Sequence, residues 1–193
     1  IGDPKHAIYA FRGADVHAYL AAAEEATVEH TLVENWRSDQ DLVTALDAMF
    51  GGARLGHERI PYRHVRAVDA HQDRRLHGAP VPEPLRVRVL QRSHPHVTIR
   101  SGRPSAQSAR EQVAVDVARD IVRLLNARPT VEDRPLVPAD VAVLVRTHRQ
   151  AGLVHEQLRA HDVPAVINGA GSVFESEAAA SWLRAQGRDH MVG

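Results

Sequence analysis

The chain has 193 residues, with 24 Lys and Arg against 24 Asp and Glu, and no cysteine. Disulfide scaffolds, zinc fingers and thiol nucleophiles are therefore excluded, and the zero formal charge excludes a globally basic clamp or an acidic tail, so any binding face must be local. A composition 44% hydrophobic and 25% charged reads as globular; no apolar run approaches the ~20 residues of a membrane span, and no signal peptide opens the chain.

In chain order, Ile1 runs at once into Gly2-Asp3-Pro4, as a buried strand does on entering a turn. Nothing precedes it to form that strand, so the chain reads as cut out of a larger protein. Asp15 caps an expected helix over about 16–26, and 28–33 is a short β-like run. Ser38-Asp39-Gln40-Asp41 is a capping-box variant starting a helix to about Phe50, with Leu42, Val43, Leu46 and Met49 or Phe50 on one face. Residues 51–84, rich in Arg, His, Gly and Pro, read as a long loop or mobile insertion.

Residues 85–90 alternate like a half-buried strand. Ser108 to Asn126 is the clearest helix, with Val113, Val117, Ile121, Leu124 and Leu125 on one stripe. The apolar run 141–145 suits a central parallel strand buried on both faces. Thr147 caps a helix to about His161, with Leu153, Val154 and Leu158 inward. A strand over 163–167, a Gly169-Ala170-Gly171 turn and a helix from Ser176 through Leu183 complete the pattern. Strand and helix in alternation indicate an α/β fold with parallel pairing.

Two clusters carry chemistry. Tyr9 and Phe11, two residues apart and followed by Arg12, can stack bases and hold a phosphate; the same pattern fits two core aromatics and a surface arginine. Trp36-Arg37, after a strand and before a helix start, can place an aromatic on a base and a guanidinium on a phosphate, or be a half-buried Trp with a solvated Arg. Lys5 is the single lysine and lies in Pro4-Lys5-His6, so the chain holds no Gly-Lys-Ser/Thr phosphate loop. It has no Asp-Glu dipeptide either. His94-Pro95-His96, with His64, His71 and His77 upstream, has no carboxylate at a spacing that completes a metal site, and no metal site is expected. No G-x-S-x-G elbow is present.

GDPKHAIYAFRGAD at 2–15 resembles motif III of the UvrD/RecB-like superfamily-one DNA helicases, and LVENWRS at 32–38 resembles their motif IV. Residues 141–183 resemble the family's next block, which leads into GGxxFFxRxE. The style of the first block is closest to the RecB branch. The resemblance implies a partial RecA-like domain of the P-loop NTPase type, a fragment of a helicase core. Residues 1–27 would end the first RecA-like domain and 28–184 would form the first half of the second. Residues 185–193 form a tail that departs from the family, an appended sequence or a natural truncation.

The resemblance also implies roles. Trp36 would lie against the adenine of ATP and Arg37 would reach the γ-phosphate as the catalytic arginine, with His6 at the phosphate-sensing position. Tyr9, Phe11 and Arg12 would hold single-stranded DNA, and Arg146 would lie near its backbone; on residue pattern alone, Arg146 is equally a strand-end arginine in solvent. The parent would be an ATP-dependent, Mg2+-requiring translocase in double-strand break repair and recombination, resembling a subunit of an exonuclease V-like complex. It would be cytoplasmic, with no membrane partner, and the isolated chain would not hydrolyse ATP. Two positions depart from the family: His6 stands for a Gln, lacking the amide's paired donor and acceptor, and Ser176 stands for the Arg of GGxxFFxRxE. These departures leave a second reading, a non-catalytic helicase-like binding or assembly module.

Overall fold

A computed structural model describes residues 3–5, 15–28 and 30–168. Two compact units divide the chain: Ile1–Arg88 with Thr130–Arg134, and Val89–Pro129 with Pro135–Gly193. In the first unit, helix α1 (Val16–Glu25) starts where the Asp15 side chain accepts the His17 N–H at 2.8 Å, so the expected cap forms. Strand β1 (Glu34–Asn35) is followed by helix α2 (Gln40–Phe50) and then by β2 (Arg66–Ala67), which pairs with β1 in parallel, Glu34 opposite Arg66 and Asn35 opposite Ala67. A parallel pair needs a crossover, and α2 lies within it. Gln40 Oε1 accepts the Ala67 N–H at 2.8 Å, pinning the start of α2 to β2.

Gly51 closes α2 by donating to the Asp47 carbonyl at 2.8 Å. A β-carbon there would stand 2.7 Å from that same oxygen, closer than real contacts allow, so the chain needs glycine at this turn. It then doubles back through a hairpin-like return in which Leu55 donates to the Ile60 carbonyl and Tyr62 to the Ala53 carbonyl. Strand β3 (Leu76–His77) pairs antiparallel with β6 (Thr130–Val131), which turns into β7 (Arg134–Pro135) through Glu132 and Asp133, both at positive φ. Among the described residues, Leu20, Val43, Ile60, Ala67 and Val68 are the buried apolar residues of this unit. Three of them fall within 51–84, so the segment read as a long loop or mobile insertion, though largely irregular, also contributes short strands and core.

In the second unit, β4 (Ile99–Arg100) and β5 (Arg103–Pro104) form a hairpin across Ser101 and Gly102, both at positive φ, as a two-residue turn requires. Helix α3 (Ala106–Asn126) begins at Ser105, whose hydroxyl accepts from Ser108 N, and α4 (His148–Ala160) begins at Thr147. Ala114 and Ala118 of α3 and Val154 and Leu158 of α4 form the core, with Val117, Ile121, Val143, Leu153, Val163 and Ala165 packed around it.

The expected strands over 85–90, 141–145 and 163–167 are not strands here, and neither is 30–33. A strand needs a continuous ladder of backbone bonds with a neighbour; in 30–33 the Val33 carbonyl accepts the Arg66 N–H at 2.9 Å, beside the β1–β2 pair, without extending the strand. Nor is 141–145 buried on both faces. Val143 packs on the core while Leu144 is 94% exposed. The same alternation recurs at Val163 and Ala165 against Val166. The expected turn at 169–171 and the helix from Ser176 lie outside the described residues.

Candidate functional site

The Trp36-Arg37 pair occupies the short turn between β1 and α2. Asn35 shapes it: its side-chain oxygen accepts the N–H groups of Arg37 at 2.9 Å and Ser38 at 3.0 Å. This is an Asx turn, the local alternative a short amide side chain offers the backbone. Trp36 is 71% exposed, and Arg37 is exposed as well. Among the described residues none pairs with the Arg37 guanidinium. An exposed indole beside an unpaired planar fork of N–H donors is a chemistry that suits an aromatic base and a phosphate.

Arg75 supports the turn from below. Its Nη2 donates to the Arg37 carbonyl at 2.7 Å, its Nε to Asp39 Oδ1 at 2.5 Å and its Nη1 to Glu132 Oε1 at 3.0 Å. Its own N–H donates to Asp39 Oδ2 at 3.0 Å, and its carbonyl accepts the Glu132 N–H at 3.2 Å. The Asp39 carboxylate, first among its partners, raises the guanidinium pKa still further, so the cation is permanent. Asp39 sits at the N-cap of α2 yet makes no side-chain cap bond. The capping role expected of the Ser38–Asp41 segment is replaced by this ion pair. Nothing local in the sequence marks Arg75 or Glu132, because their partners are distant in the chain.

A second cluster closes the far end of α2. The Tyr62 hydroxyl donates to Asp47 Oδ1 at 2.7 Å, and His64 Nδ1 lies 3.3 Å from Asp47 Oδ2. The Tyr62 bond holds the Asp47 carboxyl below the usual carboxylate range. Burial first, and then Asp47, push the Tyr62 phenol up to about 12.

Arg146 lies in the other unit, at the start of α4, where its N–H donates to Gln150 Oε1 at 3.0 Å. Its side chain is exposed, with no described partner. His6, Tyr9, Phe11 and Arg12 lie outside the described residues. The His94 and His96 rings are 5.6 Å apart, and among the described residues no group of three potential ligands is placed to hold a metal ion. No helix of the described residues is long and apolar enough to cross a membrane.

No family model matches the chain. It is 44% identical over 183 residues to the RecBCD enzyme subunit RecB of Mycolicibacterium smegmatis, a match covering 95% of this chain and 16% of that protein. Identity is 42% over 190 residues with RecB of Mycobacterium tuberculosis, again 95% of this chain and 16% of the relative. It is 30% over 187 residues with RecB of Escherichia coli, covering 91% and 15%.

Over this segment the chain is a homologue of the RecB subunits.

The chain thus spans about one sixth of the length of the RecB relatives it matches. A match over 95% of the chain takes in the Trp36-Arg37 turn, Arg75 and Arg146. The likeness to RecB agrees with the resemblance read from the motifs, and the mixed helix and strand with its parallel β1–β2 pair is consistent with a partial RecA-like fold.

Proposed function

We propose that this RecB segment supplies ATP and DNA contacts to an ATP-dependent DNA helicase subunit acting in double-strand break repair and recombination. On this reading residues 1–27 end the first RecA-like domain and 28–184 form the first half of the second. Trp36 stacks on the adenine, and Arg37 reaches the γ-phosphate with His6 nearby. The observation that carries the reading is the exposed Trp36-Arg37 turn, held by side chains at its main-chain groups, with no partner for the Arg37 guanidinium among the described residues. An arginine held in that way meets the spreading charge of phosphoryl transfer without reorganising, an effect worth about 10³ to 10⁵ in rate.

On the DNA side Tyr9 and Phe11 stack on bases, at about 1–3 kcal/mol per base and without sequence preference. Arg12 and Arg146 neutralise backbone phosphates. The partners are ATP, single-stranded DNA and the other subunits of an exonuclease V-like complex in the cytoplasm. The isolated chain, without a Gly-Lys-Ser/Thr loop, does not turn ATP over. Mg2+ has no ligand set among the described residues, so no step assigned to them runs through it.

The test is Arg37→Ala in a full-length RecB-type subunit carrying this segment, assembled in its complex. DNA-stimulated ATP hydrolysis should fall about 10³-fold in kcat or more, with a much smaller change in KM. An unchanged kcat would overturn the assignment.

A further inference from the structure

We propose that Arg75 is a positioning residue for Arg37, a role that rests on the reading of Arg37 as the phosphate-facing arginine. Both polar groups of the Arg37 main chain are taken by side chains. Asn35 accepts its N–H at 2.9 Å, and Arg75 donates to its carbonyl at 2.7 Å. The first clamp is local and two residues away. The second comes from 38 residues along the chain and ties the Arg37 carbonyl itself to the rest of the unit.

The guanidinium performs this role because of its shape. Its fork serves three acceptors at once: the Arg37 carbonyl, the Asp39 carboxylate before α2, and the Glu132 carboxylate on the β6–β7 turn. Lysine presents a single ammonium and cannot span them. The Glu132 end is itself fixed. Its N–H donates back to the Arg75 carbonyl at 3.2 Å, while its φ of 49° places it in the left-handed region. The arginine side chain is 27% exposed and that of Asp39 18%, so water competes least for the Asp39 bonds. One N–H on each of its three nitrogens is committed to an acceptor of the fold itself. Its effect on catalysis therefore passes through the backbone from which the Arg37 side chain departs. A misplacement of about 1 Å in a catalytic group costs on the order of 10²-fold in rate.

The experiment uses the full-length subunit in its complex, with Arg75→Met, Arg75→Lys, Arg37→Ala and the double variant Arg37→Ala/Arg75→Met. DNA-stimulated ATPase is resolved into kcat and KM. Arg75→Met should lower kcat about 10- to 100-fold while moving KM for ATP less than about threefold. Arg75→Lys should fail to rescue, because charge without the fork does not hold the turn. In the Arg37→Ala background, Arg75→Met should cause no further loss. A wild-type kcat in Arg75→Met beside an impaired Arg37→Ala overturns the positioning role and leaves the phosphate assignment standing. A wild-type kcat in Arg37→Ala overturns the phosphate assignment itself, and the positioning role with it. An additive loss in the double variant also overturns positioning, since Arg75 would then act independently. Should Arg75→Met fail to assemble, Glu132→Ala carries the same test: a several-fold kcat loss that vanishes in the Arg37→Ala background supports the role, and no loss overturns it.

Discussion

The Tyr62 hydroxyl reaches Asp47 Oδ1 across 2.7 Å and so ties the return of the 53–62 segment to the end of α2. The ring is also packed. The Phe50 centroid lies 5.9 Å away, and His64 meets Tyr62 edge-on at 5.6 Å. Tyr62→Phe keeps that packing and removes only the hydroxyl, so it should lower the melting temperature by a few degrees. The pH dependence follows from two opposite shifts. The Asp47 carboxyl is lowered from 3.8 in the fold, so its stabilisation is present above 3.8 and is lost as pH falls through the lowered value. The phenol is raised from 10.0 to about 12, so its stabilisation is complete below 10 and is lost as pH climbs toward 12. Melting curves of the wild type and Tyr62→Phe should therefore differ by a constant amount from about pH 5 to 9, converging in acid. A difference that survives fully at pH 2 would disprove the coupling.

Asp39 offers a sharper contrast, because its position and its partners disagree. It stands where an N-cap belongs but gives its carboxylate to Arg75. If capping were its role, Asp39→Ser would be nearly neutral, since serine caps as well as aspartate. Because the ion pair holds the carboxylate instead, Asp39→Ser and Asp39→Ala should cost alike, about 1 kcal/mol each. Urea unfolding followed by circular dichroism distinguishes the two cases.

Trp36 separates function from stability in a single substitution. At 71% exposure it contributes little to the core, so Trp36→Ala should change unfolding free energy by less than ~0.5 kcal/mol. In a full-length RecB-type subunit the same change should raise KM for ATP about tenfold, the worth of one lost aromatic stack. A large loss of stability with unchanged KM would place the indole in the core and remove it from the nucleotide.

What the sequence made legible follows the range of the interactions. Helices α1 and α4 begin at the expected caps, Asp15 and Thr147, because a cap bond spans only two or three residues. The Trp36-Arg37 turn was legible for the same reason: Asn35 shapes it from next door. Arg75 was not, since its acceptors Arg37, Asp39 and Glu132 lie 36 to 57 residues away. The apolar run 141–145, expected to be a buried parallel strand, forms none here. Its pairing depends on neighbours that the run cannot specify, and Leu144 shows the outcome by standing in solvent.

The face of α3 was legible in part: Val117 and Ile121 of the expected stripe pack on the core, but the two most buried side chains of the helix are alanines that the stripe left out. The expected stripe begins at Val113, which is 49% exposed, whereas Ala118 is fully buried and Ala114 nearly so. Small alanine side chains let two helices approach closely, and Val154 and Leu158 of α4 share one buried cluster with Ala114 and Ala118. A ranking by hydrophobicity overlooks them because their role is to be small. Ala118→Leu should therefore cost about 1–3 kcal/mol by overpacking, even though it adds apolar surface. Val113→Ala, which removes apolar surface, should cost less than ~0.5 kcal/mol. The check is the urea midpoint of each variant at an unchanged slope. The reverse order of effects would return the core stripe to Val113 and dissolve the α3–α4 contact as described.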